Sequence, residues 1–192
     1  MKEKIASAYY ELVIENGIEN TSLSKVGKKA GVNPSLIFHY YDSKEDLISH
    51  FFDQVLAESR KVFMFKLDNS LDVYKQFEDY IDNIIVNLKY SKMDSKAYYT
   101  CYVLALRNND YKMKFLEHKK KLFKMLEEII IFFTESNVIK PGNIKLATSY
   151  IEVISDGIAN MRDFMESDED DQSIAAYFKS QLKKNLNYQE KQ

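Results

Sequence analysis

The chain is poor in the residues that punctuate strands, with 2 prolines and 5 glycines in 192 residues. Sheets of short strands need Gly, Pro or Asn at close intervals for their turns. Their scarcity argues against an all-β fold and for long helices with few connections. The single Cys101 excludes an intramolecular disulfide framework and suits a reducing compartment. Tryptophan is missing, yet 12 Phe and 14 Tyr are enough to build an aromatic interior or line an aromatic pocket. No apolar run approaches the roughly 18 residues that span a bilayer; the longest candidate runs from Ile129 to Phe133. The amphipathic start MKEKIASAYYELVIENG lacks the apolar stretch of a secretory signal, so the expected location is cytoplasmic. At a formal net charge of −2 the chain is no polycation, and a nucleic-acid role needs a local basic surface. There is no H-E-x-x-H, glycine-rich phosphate loop or nucleophile elbow. His50 and His118 have no partners at metal-ligand spacing. We therefore expect no metal, no cofactor and no enzymatic activity.

What is present is helical periodicity. Ile5, Ala8, Tyr9, Leu12 and Val13 form one stripe of a helix from Lys2 to Asn16, closed by Gly17. A short helix follows Ser22 as its cap, with Leu23, Val26 and Ala30 as its apolar face, and ends at Gly31. Asn33 caps a third helix, Pro34 suits its first position, and the pattern carries it to about Tyr41. Asp42-Ser43 then breaks and caps the next. Three helices in about 45 residues, the last two joined by a glycine-centred turn, have the spacing of a helix-turn-helix. Longer segments are expected at roughly 44–67, 72–90, 95–107, 111–136, 143–165 and 171–186. The expected fold is thus all-α with about nine helices: a three-helix N-terminal domain, then a larger helical one.

The stretch TSLSKVGKKAGVNPSLIFHYYDSKEDL, residues 21–47, carries the chemistry. Ile37 and Tyr41 share a face that can pack on Val26 and Ala30, which turns Asn33, Ser35, Leu36, His39 and Tyr40 outward. A short helix with such a face fits a major groove and can reach base edges. Residues 21–44 hold four lysines (Lys25, Lys28, Lys29, Lys44) against one acid, Asp42, in a chain that is net negative. Such lysines meet phosphates, which supply affinity without reading sequence. The candidate DNA contacts are Ser22, Ser24, Lys25, Asn33, Pro34, Ser35, Leu36, Phe38, His39, Tyr40 and Lys44.

Thr21-Ser22, Ala30-Gly31-Val32, Phe38-His39-Tyr40-Tyr41 and Ser43-Lys44-Glu45-Asp46-Leu47 occur in an order and spacing that resemble the N-terminal domain of the tetracycline-repressor (TetR) family of bacterial regulators. The resemblance covers about the first 50 residues. It implies a DNA-binding domain over 1–46 and a helical effector-binding and dimerisation domain over 47–192. Ile154-Ser155-Asp156-Gly157-Ile158 is similar to a small-residue patch in the penultimate helix of many members. Three positions depart from the pattern. Phe38 stands where members usually carry a phosphate-bonding tyrosine, Leu36 where many have a short polar residue, and Gly27 where alanine is usual. Leu36 can instead touch a thymine methyl, and Gly27 is expected only to loosen its helix slightly.

Phe63, Phe77, Tyr80, Ile84, Tyr98, Tyr99 and Tyr102 are the candidates for an effector pocket, although aromatic stripes at helical spacing are more often plain core. Ile151, Ile154, Ser155, Ile158, Ile174, Tyr177 and Phe178 are the candidates for a two-fold, four-helix interface. The expected function is a sequence-specific, homodimeric DNA-binding regulator, a repressor released from a pseudo-palindromic operator by a small, apolar or aromatic effector. The helix opening at Lys44 is its expected hinge. The competing reading is an effector-free helical protein-interaction adaptor or an architectural DNA binder.

Overall fold

A computed structural model describes residues 1–85, 94–162, 164 and 168–191. Among them are nine helices: α1 Lys2–Asn16, α2 Leu23–Ala30, α3 Pro34–Ile37, α4 Lys44–Val62, α5 Val73–Ile85, α6 Ser95–Arg107, α7 Asn109–Glu135, α8 Ile144–Arg162 and α9 Asp168–Asn185. The described residues hold no sheet, only an isolated antiparallel bridge between Ile139 and Tyr188. The all-α expectation is met.

Several boundaries differ from the pattern, for local reasons. The α3 helix stops at Ile37 rather than Tyr41 because its last turn tightens: the amides of His39 and Tyr40 donate to carbonyls three residues back, Leu36 and Ile37. The α7 helix starts at Asn109, since the Asn108 side-chain oxygen accepts from the amides of Asp110 and Tyr111 at 2.8 and 3.3 Å. The acidic run expected as loop opens α9 at Asp168, where the positive end of the helix dipole favours carboxylates. The expected break from Ser91 lies, up to residue 93, outside the described residues.

The chain forms two compact units, one of residues 1–59 and the described part of 92–118, the other of the described parts of 60–91 and 119–192. In the first, Ile5, Tyr9, Leu12 and Val13 of α1 pack with Val26 and Ala30 of α2, Ile37 of α3, and Tyr41. Leu47, Phe51, Phe52, Val55 and Leu56 of α4 join the same core, so α4 packs on the three N-terminal helices from its first turns. The α6 helix contributes the small Ala97, Cys101 and Ala105 to it. Burial pushes the Cys101 thiol far above its ordinary range, which keeps it protonated and unreactive. Lys114 of α7 is fastened to Asp53 and Ser49 of α4, both at 2.7 Å.

The second unit is built on Phe77, Tyr80, Ile81 and Ile84 of α5, Leu122, Leu126, Ile130 and Phe133 of α7, Ile151 and Ile158 of α8, and Leu182 of α9. Phe77 stacks on Tyr188 at 5.2 Å, which holds the segment after α9 to the core. Lys183 pairs with Glu78 at 2.6 Å, and Lys179 pairs with Asp82.

The α2–α3 crossing is the tightest feature of the first unit. Gly31 takes the left-handed conformation at φ 63°, and the Val32 amide donates to the Gly27 carbonyl at 2.9 Å. A methyl on Gly27 would lie 2.9 Å from the Val32 carbonyl oxygen and 3.1 Å from Pro34 Cγ. Gly27 therefore does more than loosen its helix: it lets the backbone of the next segment come close. Gly27→Ala gains about 1 kcal/mol of helix propensity but overpacks against backbone, at a cost of about 1–3 kcal/mol. We expect a lower urea midpoint at unchanged m-value. A midpoint equal to or above wild type would show that the crossing tolerates a methyl group.

Candidate nucleic-acid interface

The exposed face of residues 22–44 is assembled by caps. Ser22 Oγ accepts from the Lys25 amide at 3.3 Å and starts α2. Asn33 Oδ1 accepts from both the Ser35 amide at 3.0 Å and the Ser35 hydroxyl at 2.9 Å, starting α3 at Pro34. Ser43 Oγ accepts from the Asp46 amide at 3.1 Å, while Asp46 accepts from the Asp42 amide at 3.2 Å, a reciprocal cap that fixes the start of α4 at Lys44.

With Ile37 and Tyr41 buried beside Val26 and Ala30, the remaining side chains turn outward as expected. Asn33, Ser35, His39 and Tyr40 are exposed, Pro34 and Leu36 are half-buried, and Phe38 is 55 % exposed. Ser22, Ser24 and Lys25 are exposed at the start of α2, where amides of the first turn also favour an anion. Lys44 sits half-buried at the start of α4. Lys25 donates to the Asn20 carbonyl at 2.9 Å, which steadies its ammonium without neutralising it.

Lys29 departs from the expectation. Its ammonium lies 3.0 Å from Glu11 and 2.7 Å from Glu15 on α1. The bonds to Glu15 and Glu11 raise its pKa, and Lys29 in turn holds the Glu11 carboxyl below its usual range. Two carboxylates thus neutralise it, and the basic surface of residues 21–44 reduces to Lys25, Lys28 and Lys44. Nothing in local sequence shows this, because the partners belong to another helix.

Residues 5–51 match the sequence model described as bacterial regulatory proteins, tetR family. Over those residues the chain is similar to the TetR family of bacterial regulators. It is 24% identical over 152 residues to the fatty acid metabolism regulator protein of Bacillus subtilis (strain 168), covering 77% of this chain and 76% of that one. Its fold is similar to that of Salmonella enterica GusR, with a TM-score of 0.74 at 15% identity over 97% of this chain and 95% of that one. It is also similar to a TetR transcription regulator from Haloarcula marismortui, at 0.70 and 16% over 97% and 96%. These similarities support a DNA-binding transcriptional regulator.

The expected pocket residues fall in two groups. Phe63, Phe77, Tyr80 and Ile84 share the core of the second unit, whereas Tyr98, Tyr99 and Tyr102 belong to the first. Tyr99 lines a groove of about 350 Å³ with Ile18, Val103, Leu104 and Arg107. Of the expected interface residues, Ile151, Ser155 and Ile158 are buried inside their own unit, and the Ser155 hydroxyl donates to the Ile151 carbonyl at 2.7 Å. Ile154, Ile174 and Phe178 are half-buried and Tyr177 is exposed. The outward apolar residues of α8 are Leu146, Val153 and Met161, with Phe164 just beyond the helix. Their spacing of seven and eight was legible in sequence, but the Ile-rich stripe masks it. Among the described residues no cluster of three His, Cys, Asp or Glu could hold a metal, and no helix is long and apolar enough to cross a membrane.

Phe38→Tyr would restore the hydroxyl usual in TetR-family members on a side chain that already projects outward. We expect duplex binding to tighten by about 1 kcal/mol, roughly fivefold, at unchanged melting temperature. Identical titration curves for the two proteins would mean that this position does not reach a phosphate.

Proposed function

We propose that the chain is a homodimeric repressor that leaves a pseudo-palindromic operator when a small apolar or aromatic effector binds. The observation that carries this reading is the outward face of Asn33, Ser35, Leu36, Phe38, His39 and Tyr40 between the cations of Lys25, Lys28 and Lys44. In each subunit the face enters the major groove. Half-sites lie about one turn, 34 Å, or a multiple of it apart. Residues 1–46 form the DNA-binding domain, and residues 47–192 bind the effector and dimerise. The protein acts in the cytoplasm without enzymatic activity, since its whole task is differential binding.

The effector site in this reading is the aromatic core around Phe63, Phe77, Tyr80 and Ile84. The Tyr80 hydroxyl is fully buried with no hydrogen-bond partner among the described residues. Such an orphan costs about 1–3 kcal/mol, which a ligand's polar group would recover. The Bacillus relative is a regulator of fatty acid metabolism, in keeping with an apolar effector here.

Dimerisation in this reading uses the outward face of α8 and α9. Leu146 and Val153 are 69% and 67% exposed and Tyr177 is 59% exposed, an apolar surface that a second copy would cover. Val153→Glu is expected to shift sedimentation from dimer to monomer. A wild-type protein that sediments as a monomer would sink the dimeric reading.

Fluorescence anisotropy on DNA upstream of the protein's own gene, and on a genomic fragment pool, tests the whole reading. Sequence-dependent binding that weakens steeply with salt and is reversed by apolar acyl or aromatic compounds is the expected result. Absence of binding to every duplex would turn the interpretation to a helical adaptor.

A further inference from the structure

A cation from the start of the chain lies beside the recognition segment. The Lys2 ammonium of α1 lies 5.0 Å from the ring centroid of Tyr41. Tyr41 closes the recognition segment: it follows the exposed Tyr40 directly, its side chain is buried in the core shared by α1 to α4, and Lys44 opens α4 three residues later. The His50 ring of α4 packs on Tyr41 at 5.5 Å. Lys2 is therefore held at the end of the segment that the DNA reading places against the backbone.

Its charge is also available. Among the described residues Lys2 has no carboxylate within ion-pair distance. Glu3 lines the same cleft, of about 530 Å³, without pairing to it. An ammonium above a ring uses one side for the cation–π contact and keeps N–H donors for another acceptor. Lys29 shows the opposite case on the same unit, its ammonium shared between Glu11 and Glu15.

We propose that Lys2, placed over Tyr41 at the end of the recognition segment, is a DNA-phosphate contact in addition to Lys25, Lys28 and Lys44. The inference rests on the DNA-binding reading above. Its function is electrostatic: Lys2 releases a condensed counterion when the reader docks and carries no sequence information.

Counterion release gives the test. Binding of the full-length protein to a short fluorescein-labelled duplex is titrated between about 50 and 200 mM salt, for wild type, Lys2→Gln, Lys2→Arg and Lys44→Gln. Each lost phosphate contact makes the plot of log affinity against log salt shallower by about 0.9. Lys2→Gln is expected to lose that amount per bound subunit, Lys2→Arg to keep the wild-type slope, and Lys44→Gln to become shallower as an independent contact. A Lys2→Gln slope equal to wild type beside a shallower Lys44→Gln slope overturns the proposal. So does weaker binding at unchanged slope, because Lys2 would then only support Tyr41. Absence of salt-dependent binding by wild type overturns the DNA-binding reading itself. Circular dichroism of Lys2→Gln, matched to wild type, confirms that the comparison is between folded proteins.

Discussion

What the reader presents to DNA depends on the crossing of α2 and α3 at Gly27. The Val32 amide reaches the Gly27 carbonyl at 2.9 Å, and Gly31 turns the chain through a left-handed residue between them. That approach seats Ile37 and Tyr41 against Val26 and Ala30, and the seating turns Asn33, Ser35, Phe38, His39 and Tyr40 outward. A backbone contact with no room for a methyl thus sets the orientation of the outward side chains proposed to touch bases.

Around that crossing, the useful charges are those left unneutralised. A lysine contributes to DNA affinity by exchanging counterions for phosphates, and one already shared between two carboxylates has less to exchange. Lys29 is shared between Glu11 and Glu15 and joins α2 to α1. Lys25 is steadied by a neutral carbonyl and keeps its charge. Formal charge along a segment overstates the basic surface wherever a second helix supplies acids.

The chain beyond the helix-turn-helix is divided between the two compact units. The first unit takes in α6 and the start of α7 as well as α1 to α3, through the small Ala97, Cys101 and Ala105 and the Lys114 to Asp53 pair. The second unit has a dense aromatic core with the buried, unpartnered Tyr80 hydroxyl.

The sequence by itself determined the fold class, the positions of α1 and α2, the caps at Ser22, Asn33 and Ser43, and the outward face of the recognition segment. These rest on periodicity and on side-chain-to-backbone bonds a few residues long, which local order encodes. It placed the end of α3 and the start of α9 less well, because a tightened last turn and a dipole-stabilised acidic start both run against the usual break signals. Only the tertiary structure decided that Gly27 is sterically required, that Lys29 is neutralised while Lys2 lies over Tyr41, and that Ile151, Ser155 and Ile158 face inward while Leu146 and Val153 face out. Each of those is a contact, or the lack of one, between segments distant in the chain. Local pattern fixes which side of a helix is apolar, but only packing decides what that side meets.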